Sequence, residues 1–95
     1  MSSSTVKVRI PTALRAYTGN QAAVEVPAAT VQEALQSLLG RFDGLRAHLL
    51  DDQGKVRSFV NLYVNQTDVR SLQNEATPLR SGDTLLIVPS VAGGA

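Results

Sequence analysis

The sequence predicts an α+β fold, a mixed sheet of four to five strands packed on one main helix. Three observations predict it. Two runs near the N-terminus alternate apolar and polar residues, with Gly19-Asn20 between them as a turn signal. One longer stretch after Thr30 repeats apolar residues at helical spacing. Two further β-rich runs follow, and the last ends shortly before the C-terminus.

Each element has a local cause. From Thr5 to Ile10, Val6, Val8 and Ile10 share one face and Lys7 and Arg9 the other, the pattern of a half-buried strand. Pro11 ends it by removing a ladder donor. A turn region passes through Leu14, Arg15 and Thr18. Gln21 to Val26 alternates again, with Ala22, Val24 and Val26 on the core side, so the two runs read as an antiparallel hairpin. Pro27 closes the second strand. Thr30 and Glu33 form the capping box T-V-Q-E. Val31, Ala34, Leu35, Leu38, Leu39 and Phe42 then make the apolar helix face, and Gly44 is the expected stop signal. Leu45 to Leu50 reads as a short irregular helical turn, and Asp51 to Gly54 as a surface loop. Arg57 to Val64 is a strand with Val60, Leu62 and Val64 inward and Phe59, Asn61 and Tyr63 outward. Asn65 to Asp68 is read as a turn and Val69-Arg70 as a minor strand. Ser81-Gly82-Asp83 is a tight turn before the final strand, Thr84 to Val88. There Leu85 and Ile87 face the core, leaving Leu86 and Val88 on the opposite face.

A hairpin, a crossover helix and a last strand inserted parallel to the first make the β-grasp, or ubiquitin-like, arrangement. The expected organisation is a disordered lead over 1–4, one domain over 5–89 and a flexible tail over 90–95. Ninety-five residues suffice for a single core without staples. There is no cysteine, which excludes a disulfide framework, a thiolate metal site and a cysteine nucleophile. The net charge is +1 with scattered signs, unlike the dense basic stripe of a nucleic-acid binder. No apolar run has transmembrane length and Met1 to Ser4 lacks signal-peptide character, so a cytoplasmic protein is expected.

The sequence ends in Gly93-Gly94-Ala95 after the spacer Ser90-Val91-Ala92. Without Cβ atoms a Gly pair is narrow and conformationally free, suited to threading into another enzyme's active site. The alternative is plain frayed chain. From Ser90 to Gly94 an extended tail spans roughly 15–18 Å, at about 3.3–3.6 Å per residue.

Three segments carry a resemblance. They are Ile10 to Arg15 with Thr18-Gly19, Arg57 to Asn65 with Asp68-Val69-Arg70, and Gly82-Asp83-Thr84 through Val88-Pro89 to Val91-Ala92-Gly93-Gly94. Across nearly the whole chain the sequence resembles the β-grasp sulfur carriers related to ThiS and MoaD, and most closely the CysO branch that serves cysteine synthesis. The resemblance implies that the chain is a carrier and not an enzyme, with no catalytic residue, metal or bound cofactor of its own. Gly94 would be adenylated by an E1-like enzyme using ATP, and a sulfur donor would convert it to a thiocarboxylate. A pyridoxal-phosphate (PLP)-dependent cysteine synthase would accept the sulfur. The family's active form ends at the second Gly, so Ala95 resembles a cap removed by a JAMM-type metallopeptidase. With Ala95 attached, Gly94 is an amide and is not adenylated. Val91, Ala92 and Gly93 form the rest of the tail. Leu86, Val88 and Pro89 are the expected docking surface beside it, unless loops of the same chain cover Leu86 and Val88. Pro11 and Asp68 match positions bordering the partner patch of the MoaD branch, although Asp68 replaces the apolar residue common there.

Other sites read as structural. His48 stands without cysteine or clustered carboxylates, so it is not read as a metal ligand. Asp51-Asp52 reads as a solvated loop, and Ser58 has no evident general base. Arg15, Arg57 and Arg70 read as solvated surface charges, the alternative being pairing with acidic groups on a partner protein. Three other functions share the fold: a carrier for molybdopterin, thiamin or another metabolite, a ubiquitin-like modifier linked through Gly94 to lysines, and an interaction domain with an idle tail.

Overall fold

The computed structural model describes residues 4–57 and 60–89. The expectations placed on the first serines, on Ser58 and Phe59 and on the C-terminal tail therefore lie outside the described residues, except at Ser4. The Ser4 carbonyl accepts a 2.8 Å hydrogen bond from the Ala28 N–H.

Five strands form one mixed sheet: β1 Thr5–Arg9, β2 Ala23–Pro27, β3 Val60–Val64, β4 Thr67–Asp68 and β5 Thr84–Pro89. Their spatial order is β2-β1-β5-β3-β4. β1 and β2 pair antiparallel, β5 runs parallel to β1, and β3 lies antiparallel to β5. The last strand is thus the central strand. This is the β-grasp topology the residue pattern implies, with five strands.

Alternation in each strand supplies the core. Val6, Val8, Val24, Val26, Val60, Leu62, Val64, Leu85 and Ile87 are buried together with the helix residues Val31, Ala34, Leu35, Leu38 and Leu39. The helix is α1, Val31–Arg41. Thr30 caps it, its Oγ1 accepting from the Glu33 N–H at 3.2 Å. The Glu33 carboxylate reaches back to the Ala29 N–H at 2.8 Å, one residue earlier than a standard capping box. A single 3₁₀ turn over Asp43–Leu45 leads into the short helix α2, Arg46–Leu49.

Several boundaries differ from the sequence reading. Ala22 is exposed, because β2 begins at Ala23. The stretch after Pro11 is a 3₁₀ helix, Thr12–Tyr17. Buried Thr18 locks its end: Oγ1 lies 3.2 Å from the Arg15 carbonyl and 3.1 Å from the Gln21 carbonyl. Gly44 is not a left-handed stop. The helix already ends at Phe42, and a Cβ on Gly44 would lie 3.2 Å from Tyr17 Cδ1. Gly44 therefore makes room for the Tyr17 ring. The minor strand is Thr67–Asp68, and Val69–Ser71 is a 3₁₀ turn. The two-residue turn Asn65-Gln66, with φ of 49° and 77°, pairs β3 with β4. The Asn65 side chain braces this turn, donating to Asp83 Oδ1 at 2.9 Å and accepting from the Thr84 N–H at 3.0 Å.

The Ser81-Gly82-Asp83 turn aims β5 between its neighbours. Gly82 has φ 91° and donates its N–H to the Thr5 carbonyl at 3.0 Å. The Asp83 carbonyl accepts from the Lys7 N–H at 2.9 Å. Open space surrounds the positions a Cβ would take at Gly82 and Gly40, so the two glycines separate conformation from packing. We expect Gly82→Ala to cost about 1–2 kcal/mol through its left-handed backbone. Gly40→Ala, inside α1, should stabilise by about 0.5–1 kcal/mol. Urea unfolding of both variants measures the contrast.

Candidate functional site

The outward face of the sheet is built by register. Arg9 on β1 stands beside Leu86 on β5, Leu86 opposite Tyr63 on β3, and Tyr63 opposite Asp68 on β4. These four residues form one row across four strands, because directly paired residues share a face. One step along β5, Val88 lies opposite Asn61. Leu86 and Val88 are half-buried, whereas Leu85 and Ile87 on the other face are 0% and 1% exposed. β5 therefore divides its apolar side chains between the core and the outer face.

The end of β5 opens into a groove of about 360 Å³. Pro11, Leu86, Val88 and Pro89 line it with Arg9 and Arg15. The parallel pairing of β1 and β5 causes this. Both strands run to the same end, so the 3₁₀ helix after Pro11 lies beside the point where the chain leaves β5. The structure thus brings together four of the five residues expected at a docking surface. Asp68 stands apart, two strands from β5, and joins only through the Leu86 row. Gly94, Val91, Ala92, Gly93 and Ala95 lie outside the described residues.

Asp68 is held by Arg70. Its Oδ1 accepts from the Arg70 backbone N–H at 2.8 Å and from Nε at 3.2 Å, and its Oδ2 accepts from Nη2 at 2.9 Å. Arg70 Nη2 also donates to Asn61 Oδ1 at 2.9 Å. The charged side chain of Arg70 holds the Asp68 carboxyl below the ordinary aspartate value of 3.8, and the Arg70 backbone N–H adds to the effect. Asp68 in turn raises the Arg70 pKa. Sequence spacing left Arg70 as a solvated charge. Its tie to Asn61 could be read only once the β3–β4 hairpin register was known.

Elsewhere, His48 stacks on Tyr17 with ring centroids 4.5 Å apart. Among the described residues no group of three metal-ligating side chains occurs. No helix among them is long and apolar enough to cross a membrane. No buried polar side-chain atom there lacks a hydrogen-bond partner. The described body therefore presents an outward apolar strip on β5 and a groove at that strand's end.

The pH dependence of the Asp68 pair has a definite sign. A depressed folded pKa contributes stability that is complete above pH 3.8 and is lost as pH falls through the lower folded value. In a carboxyl-carbon NMR titration, Asp68 should titrate below 3.8 in the parent chain. In Arg70→Ala its midpoint should move up towards that value. An unmoved midpoint would show that the guanidinium is not the cause.

The ThiS family model matches residues 8–94. The sulfur carrier protein CysO of Mycobacterium tuberculosis is 41% identical over 91 residues, covering 94% of this chain and 98% of the relative. Small archaeal modifier protein 3 of Haloferax volcanii is 42% identical over 66 residues, covering 70% of this chain and 71% of the relative. Among solved structures, a chain of the Amycolatopsis orientalis BexX/CysO complex superposes with a TM-score of 0.84 at 43% identity, covering 94% of this chain and 99% of its own length. The match thus runs through the 3₁₀ helix, both hairpins and β5, and the chain belongs to the ThiS family.

Proposed function

We propose that the chain is a sulfur carrier of the CysO type, working through a thiocarboxylate on Gly94 in cysteine biosynthesis. The observation that carries this reading is the end-to-end likeness to CysO, at 41% identity over 94% of the chain. The geometry suits the task. β5 is gripped on both edges by its neighbours, so force applied to the tail during docking is borne by the middle of the sheet.

The chemistry divides into three steps. A JAMM-type metallopeptidase hydrolyses the Gly94–Ala95 bond and frees the Gly94 carboxylate. That carboxylate attacks the α-phosphate of ATP on an E1-like enzyme, forming the acyl-adenylate and releasing pyrophosphate. A sulfur donor then attacks the acyl carbon and AMP departs, leaving the thiocarboxylate. Its sulfur is a soft nucleophile, matched to the electrophile a PLP-dependent cysteine synthase would present. The carrier binds no cofactor itself; ATP belongs to the activating enzyme. Leu86, Val88, Pro89 and Pro11 form the docking surface, with Val91, Ala92 and Gly93 as the threaded tail. In the BexX/CysO complex a CysO protein assembles with a second protein, which supports partner docking.

A second reading, favoured by the likeness to Small archaeal modifier protein 3, is conjugation of Gly94 to lysines of other proteins. Both readings share the adenylate and differ in the nucleophile that follows.

The test incubates the chain with the E1-like enzyme, ATP and sulfide, and reads the intact mass. The chain shortened to Gly94 should exchange one oxygen for sulfur, and the chain ending in Ala95 should not. Sulfur on the Ala95-terminated chain would overturn the need for cleavage. Lysine-linked adducts without thiocarboxylate would favour the modifier.

A further inference from the structure

β2 is an edge strand, paired with β1 alone among the described residues. The ladder shows which of its groups face out. The Ile10 N–H donates to the Ala22 carbonyl and the Ala28 N–H to the Ser4 carbonyl, both at 2.8 Å. Hydrogen bonding alternates along an antiparallel pair. Val24 and Val26 therefore bond inward to β1, while Ala23, Glu25 and Pro27 turn their backbone groups outward. Lys7, opposite Glu25, accordingly donates its N–H to the Asp83 carbonyl, away from β2. A row of outward backbone groups is a template for another strand. The opposite edge, β4, is only two residues long.

Two side chains of α1 reach across to this outward row. Arg41 Nη1 donates to the Glu25 carbonyl at 2.9 Å, and Ser37 Oγ donates to the Pro27 carbonyl at 3.0 Å. The Arg41 guanidinium also sits 5.6 Å from the centre of the Phe42 ring, which helps to hold it there. Pro27 has no N–H to offer. The Ala23 N–H, the Ala23 carbonyl and the Glu25 N–H are left facing out without a partner among the described residues.

We propose that the β2 edge is a strand-pairing site for a second copy of this chain, held shut by Arg41. Two β2 strands running antiparallel about Val24 place Ala23 of each copy opposite Glu25 of the other. Each such pair exchanges two backbone hydrogen bonds. Every copy must supply the N–H and carbonyl of Ala23 and of Glu25. Three of these groups are open, and the fourth, the Glu25 carbonyl, is held by Arg41. Centring on Glu25 instead sets two carboxylates opposite each other and calls for an N–H that Pro27 lacks. Centring on Ala23 reaches Gln21, whose N–H is already given to the Thr18 carbonyl. The Val24 register therefore asks only that Arg41 let go. A twofold contact of this kind closes on itself, so the product is a dimer. β2 lies two strands from β5, and the inference stands apart from the chemistry assigned to Gly94.

The experiment follows self-association by analytical ultracentrifugation over a concentration series, with amide hydrogen exchange in β2 read on the same samples. Arg41→Met removes the donor and keeps a long side chain. Arg41→Ala, a stronger helix former, repeats the comparison if the methionine variant unfolds. Ser37→Ala releases only the Pro27 carbonyl, which the Val24 register does not use. Arg46→Met removes the same charge from grooves that no β2 residue lines. We expect Arg41→Met to dimerise with a dissociation constant at least about tenfold below that of the parent, because two held carbonyls are released per dimer. Ser37→Ala and Arg46→Met should match the parent. The Ala23 and Glu25 amides should exchange fast in the parent and slow in Arg41→Met as concentration rises. An Arg41→Met that stays monomeric, a parent already dimerised through β2, or equal association in Ser37→Ala or Arg46→Met would overturn the proposal. So would a dimer that leaves the Ala23 and Glu25 amides unprotected.

Discussion

The parallel pairing of β5 with β1 is the constraint on which the remaining structure depends. It places the last strand in the middle of the sheet, where Leu85 and Ile87 complete the core and the ladder holds both edges. A parallel neighbour cannot be reached by a hairpin, so the chain between β1 and β5 must cross over and return. The crossover supplies α1, which covers the one face of the sheet that needs covering. The other face is left open to solvent, as a one-sided sheet permits.

The same pairing decides where function can sit. Since β1 and β5 run the same way, the 3₁₀ helix following Pro11 lies beside the exit from β5, and Arg9, Arg15, Leu86 and Val88 meet at one groove. A carrier working as proposed would need a body that resists deformation and a partner surface near its C-terminal end. Both come from one strand, whose alternate residues pack the core and furnish the outer patch. The division of labour within β5 is thus a consequence of its period of two.

Much of this was legible in the residues. The alternation of Val6, Val8, Val24, Val26, Leu85 and Ile87 reports burial directly, and the Thr30–Glu33 spacing marks the helix start. What was misread shares a cause. Gly44 reads as a helix stop from its type alone, yet it is needed for the Tyr17 ring, 27 residues away in sequence. Asn65 to Asp68 reads as a turn from composition, yet only Asn65 and Gln66 turn, because Thr67 and Asp68 find ladder partners on β3. Residue type alone conveys neither the ring that packs on Gly44 nor the ladder pairing that makes Thr67 and Asp68 a strand.

The sequence by itself determined the four longer strands, the main helix, their order and, Ala22 apart, the apolar side of each, since these follow from periodicity and turn chemistry within a few residues. It also carried the Gly-Gly ending and the likeness to sulfur carriers. Only the tertiary structure decided which charges surround Leu86 and Val88. Arg9, Arg15 and Arg70 are far apart along the chain and become neighbours of one apolar strip through strand register and the β3–β4 hairpin. Register is a pairing between segments, and no single segment contains it.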